Sequence, residues 1–109
     1  MADEPKKEAN GVPDNTLVVP LTKQIVANGE EVMELKFREP TAGDIMNCGN
    51  PVHFDFSAGY DQEPKVTYNE KAMFNMMSAL AAVPPSTIKT MSVRDWERAA
   101  LFIAHRFFL

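Results

Sequence analysis

The sequence predicts an α+β fold: an N-terminal β-hairpin followed by a small helical half of about three to four helices. Two periodicities and the corner between them carry that prediction. From Leu17 to Phe37 apolar and polar residues largely alternate, as in half-buried strands. From Asn69 onward apolar residues recur three and four positions apart, as on helices. Between the two lies Arg38-Glu39-Pro40-Thr41-Ala42-Gly43-Asp44, where Pro40 cannot donate to a ladder and Thr41 is placed to cap a helix.

Residues 1–15 hold Asp, Glu, Lys, Pro, Asn and Gly with almost nothing to bury, and are expected to form a disordered tail. Residues 16–109 are expected to form a single domain, beginning with a hairpin over 16–38. Leu17, Val19, Leu21 and Ile25 share one face of its first strand; Met33, Leu35 and Phe37 share one face of the second. Asn28-Gly29 suits a two-residue type I′ loop, but that register sets Leu35 against Thr22 and splits the apolar rows between faces. A three-residue loop, Ala27-Asn28-Gly29 with Gly29 left-handed, pairs Leu21 with Leu35 and Val19 with Phe37, and is the register expected.

A corner and short helix occupy residues 39–49. Pro40 biases Glu39 toward extended geometry, and Thr41 with Asp44 three residues later forms a capping-box pattern. Gly49-Asn50-Pro51 stops that helix. Residues 50–68 read as a variable loop, within which Val52-His53-Phe54-Asp55-Phe56 alternates and could pair with Val66-Thr67-Tyr68 as a second small hairpin.

The helical half spans 69–109. Asn69 caps a helix from Glu70 to about Ala82, with Met73, Met76, Met77 and Leu80 at helical spacing. Val83-Pro84-Pro85 ends it, a short helical turn follows, and Ser92 with Asp95 opens a last helix from Val93 to about Phe108. Trp96, Ala100, Ile103 and Phe107 make its expected core stripe, flanked by Ala99 and Ala104. Leu101, Phe102, Phe108 and Leu109 then point away from that stripe, towards the polar face.

The chemistry available is sparse. Among 109 residues the net charge is −4, which argues against nucleic acid as a partner, and no run approaches the ~18 apolar residues of a membrane span. Cys48 has no second cysteine to pair with. His53 and His105 fall on different elements, without metal-ligand spacing. Ser86, Ser92, Asp44 and Asp95 all sit where helix capping explains them. No catalytic residue, cofactor site or metal site is expected, and the chain is not expected to be an enzyme. Protein binding is what remains. The candidate partner-binding residues are Leu101, Phe102, Phe108 and Leu109, whose large apolar side chains would otherwise stay wet. Met73 and Met77 join them, on a stripe that serves either as core filler or as an adaptable contact surface.

The run Leu35-Lys36-Phe37-Arg38-Glu39-Pro40-Thr41-Ala42-Gly43-Asp44-Ile45, followed by Cys48-Gly49-Asn50-Pro51-Val52, resembles the tail assembly chaperones of Mu-like and related contractile-tailed phages and prophages. Ala79-Leu80-Ala81-Ala82-Val83-Pro84-Pro85-Ser86-Thr87-Ile88 and Met91-Ser92-Val93-Arg94-Asp95-Trp96 are similar to the helical half of that family. The resemblance runs from about Leu17 to the C-terminus. It implies a protein that coats the tape-measure protein, keeps that long helical client soluble, and hands it over as tail-tube subunits polymerise. It also implies action in the host cytoplasm without a cofactor, and absence from the mature virion. The tail-tube protein and a second copy of the chain are further partners to consider. The alternative reading is a minor structural tail or baseplate subunit; a small DNA-binding regulator fits the acidity less well.

Overall fold

The alternating first half folds as an antiparallel hairpin in a computed structural model, which describes residues 15–109. Strand β1 (Leu17–Ala27) pairs with β2 (Glu30–Phe37). The tail expected over residues 1–15 lies, but for Asn15, outside the described residues.

The hairpin's register differs from the one expected. Its loop has two residues, not three, and both Asn28 (φ 55°) and Gly29 (φ 81°) are left-handed, as a type I′ turn requires. Beside the turn Ile25 pairs with Val32, while farther out Val19 pairs with Leu35 and Leu17 with Phe37. Leu21 therefore does not face Leu35. Between these two halves a bulge slips the register, with residues 21–24 of β1 standing against Met33 alone. The bulge removes the conflict that made a two-residue loop look wrong. Val19, Leu21, Ile25 and Ala27 stay buried on one face of β1. On β2 the inward row passes from the half-buried Val32 to Leu35 and Phe37, and Met33, expected in that row, is 53% exposed.

The corner forms as its residues dictate. Helix α1 (Ala42–Cys48) starts at a capping box: the Asp44 amide donates to the Thr41 hydroxyl, and the Thr41 amide donates to the Asp44 carboxylate at 2.8 Å. Gly49, at φ 88°, ends it. The stretch 50–68 then contains the second hairpin, β3 (Val52–Asp55) against β4 (Lys65–Tyr68). Asn69 accepts from the Ala72 amide and opens α2 (Glu70–Ala81). A short α3 (Pro85–Ile88) and α4 (Val93–Ile103) follow.

The core lies where the inner face of the first hairpin meets α2, α3 and α4. Phe37, Val19, Met76, Met77, Ile88 and Ile103 have essentially no exposure there. The Arg38 amide donates to the Leu80 carbonyl at 3.1 Å, fastening the end of β2 to α2.

The last helix departs from expectation twice. Its most buried line runs through Asp95, Ala99 and Ile103, so Trp96 and Ala100, expected at the centre of the stripe, are only half-buried. Beyond Ile103 the α-helix widens into a π-turn over Ala104–Phe108, closed by the Leu109 amide donating to the Ala104 carbonyl at 2.8 Å. A wider turn advances each residue by a smaller angle. Phe107 and Phe108 can then both lean on the core, and Phe108 is half-buried against it rather than turned outward.

Candidate protein-binding surface

Two buried carboxylates set the position of α4 and of the corner. Asp95, fully buried in the first turn of α4, accepts from the Thr22 amide at 3.0 Å, the Thr22 hydroxyl at 2.9 Å and the Lys23 amide at 3.1 Å. These donors belong to the bulge, whose amides are turned out of the ladder. Burial alone would raise the Asp95 pKa; the donors from Thr22, Lys23 and Ser92 outweigh it and hold it at about 2. Arg98, one turn on, donates to the Pro20 carbonyl at 3.2 Å. The bulge and the start of α4 are thus locked together. At the corner, Arg38 grips Asp44 through two bonds of 2.8 and 2.9 Å and holds that carboxyl well below the usual carboxylate range.

With α4 fixed this way, Leu101, Phe102 and Leu109 stand 50%, 39% and 48% exposed. Phe108 packs partly inward, and Met73 and Met77 are buried in the core, Met73 reaching only the floor of the neighbouring cleft. Beside Leu101 a cleft of about 420 Å³ opens between Tyr68, Glu70 and Met73 on one side and Trp96, Ala100 and Leu101 on the other. The indole N–H of Trp96 has no acceptor among the described residues.

The second hairpin adds apolar surface. Phe54, Phe56 and Tyr60 are exposed, the last two with rings 5.3 Å apart, and Tyr68, exposed on the same hairpin, borders the cleft. The pattern of the sequence alone misses Phe54 and Tyr68 as surface residues and the half-buried Trp96 as a wall of the cleft. Alternation over 52–56 signals a strand but not what its apolar face meets, and helical spacing assigns Trp96 to the interior.

Among the described residues, no group of three or more His, Cys, Asp or Glu could hold a metal ion, and no helix is long and apolar enough to cross a membrane. His53 and His105 are exposed and far apart in the chain; Cys48 is half-buried, its thiol pushed up by burial.

Fold and surface together define a small α+β protein with exposed apolar and aromatic side chains on the second hairpin and along α4. Residues 16–107 match the family described as "Phage tail assembly chaperone proteins, E, or 41 or 14", and the chain belongs to that family. Its general role is therefore in phage tail assembly. No curated protein and no solved structure matches the chain.

Proposed function

We propose that this protein binds the tape-measure protein of its phage, keeps that client soluble, and releases it as tail-tube subunits polymerise around it. Membership of the tail assembly chaperone family supports the role. The observation that carries the choice of surface is the exposure of Leu101, Phe102 and Leu109 at the end of a helix whose other side is locked to the core. Burying a large apolar side chain is worth ~1.5–3 kcal/mol, so a contact that covers three of them supplies real affinity. No cofactor enters this work: binding and release suffice. The protein acts in the host cytoplasm and is left out of the finished particle.

Co-expression with the tape-measure protein tests the reading. The client should be soluble and co-purify with the native chain, and should aggregate without it. Mass spectrometry of purified particles should find the protein missing or strongly substoichiometric. A stoichiometric presence would make it a minor tail or baseplate subunit instead.

A further inference from the structure

The second hairpin has two unlike faces. Val52 stands opposite Tyr68 and Phe54 opposite Val66, making one row; His53 opposite Thr67 and Asp55 opposite Lys65 make the other. The first row is apolar and the second polar. Yet only Val52, at the base, is buried; Phe54, Val66 and Tyr68 are 46%, 36% and 48% exposed. Tyr68 also borders the cleft beside α4, so the apolar row and the cleft wall of Trp96, Ala100 and Leu101 form one continuous surface.

Charge narrows the choice of occupant. Glu70 and Glu97 border the cleft, and neither forms an ion pair among the described residues. Arg98, the cationic group at the cleft, is already engaged by the Asp95 carboxylate at 3.5 Å and the Pro20 carbonyl. The uncompensated charge at the cleft is negative. Shape narrows it further. The surface is built of side chains on a sheet face and a helix face, not of an unpaired strand edge. Two strands about 4.8 Å apart with their side chains offer a strip as wide as a helix of ~10 Å diameter.

We propose that β3–β4 and α4 form a groove that receives one amphipathic helix of a partner protein. Its apolar stripe lies on Phe54, Val66, Tyr68 and Leu101, and its flanking Lys or Arg residues meet Glu70 and Glu97. This rests on the reading of the protein as a chaperone for a helical client, and it adds the seat and the chemistry that the client presents.

Trp96 is the single tryptophan of the chain and borders the groove, so its fluorescence reports occupancy in the full-length protein. The probes are two synthetic helical peptides of about 18 residues, long enough for ~27 Å of helix, with the same Leu stripe flanked by Lys in one and Glu in the other. The Lys peptide should change Trp96 emission saturably and bind about tenfold tighter or more at low salt, the gap closing as salt rises. Tyr68→Ser should abolish binding of both. Glu70→Lys with Glu97→Lys, both on exposed rim positions, should reverse the preference, and decides the matter if Tyr68→Ser fails to fold. Equal affinity for the two peptides, or binding indifferent to either substitution, overturns the groove. So does a native dimer that Tyr68→Ser turns into a monomer with no peptide bound, because the occupant is then a second copy. A Tyr68→Ser variant that still solubilises the tape-measure protein overturns the groove and leaves the chaperone reading intact. Failure of the native chain to solubilise that client removes the chaperone reading, while the peptide preference is measured independently of it.

Discussion

The Asp95 carboxylate accepts both the amide and the hydroxyl of Thr22, across 73 residues of sequence and with no solvent at the contact on the Asp95 side. A bulge in a two-stranded ribbon leaves amides without ladder partners, and a buried carboxylate needs donors. Each therefore supplies what the other lacks.

Asp95→Asn tests that dependence with little change of shape. The three nearest donors all point at carboxylate oxygens, and replacing one oxygen by an amide nitrogen sets N–H against N–H. The expected loss is about 1–3 kcal/mol, seen as a lower urea midpoint with an unchanged slope. A midpoint equal to that of the native chain would mean the bulge holds its shape unaided.

Acid should weaken the fold by the same route. Asp95 is held at about 2 and Asp44 lower still, both below the ordinary aspartate value of 3.8. Between those values the unfolded chain binds protons that the folded chain does not, so stability falls as pH falls. The contribution is complete above the ordinary value and drains away towards pH 2. Thermal midpoints should be nearly level from pH 7 to pH 5 and drop through pH 4, 3 and 2, and Asp95→Asn should flatten the fall. A midpoint rising on acidification would contradict the direction of both shifts.

What could be read in the sequence was what its neighbours decide. Thr41 and Asp44, Asn69, Ser92 and Gly49 start or stop helices through contacts only a few residues long, and these positions stand as expected. The hairpin register did not, because the bulge finds its acceptor in Asp95, at the far end of the chain. The same residue explains the rotated stripe of α4. Hydrophobic patterning places an aspartate outside, so it centred the stripe on Trp96 and Ala100, whereas the buried charge pulls the line round to Asp95, Ala99 and Ile103. Of the candidate surface, Leu101, Phe102 and Leu109 were legible from helical geometry. Phe108 was not, since it depends on the π-turn, and the part contributed by Phe54 and Tyr68 depends on how the second hairpin stands beside α4.

The turn offers a prediction that separates conformation from contact. A Cβ on Gly29 would meet nothing within 4 Å, yet the backbone there has φ 81°. Gly29→Val should therefore cost more than about 1 kcal/mol through backbone strain alone, because a β-branched residue resists that geometry. Gly29→Asn, which tolerates left-handed backbone, should recover most of the loss. Equal destabilisation by both residues would point to a crowded site instead.

The C-terminal segment should divide into residues that hold the fold and residues that serve a partner. Leu101 and Phe102 are exposed in a helix that Asp95 and Arg98 already fix, so removing their apolar surface deprives the core of little. Leu101→Ser with Phe102→Ser should leave stability within about 1 kcal/mol of native, while the tape-measure protein no longer co-purifies. Phe108, although adjacent to the exposed Leu109, leans on the core through the π-turn. Phe108→Ser should cost about 2 kcal/mol or more, and client binding should be lost only to the extent that folded protein is lost. Differential scanning calorimetry beside pull-down yield separates the two effects. If Phe108→Ser keeps its stability and loses the client, the π-turn belongs to the binding surface. If the Leu101 and Phe102 substitutions unfold the chain, those residues are structural, and the client must be held elsewhere.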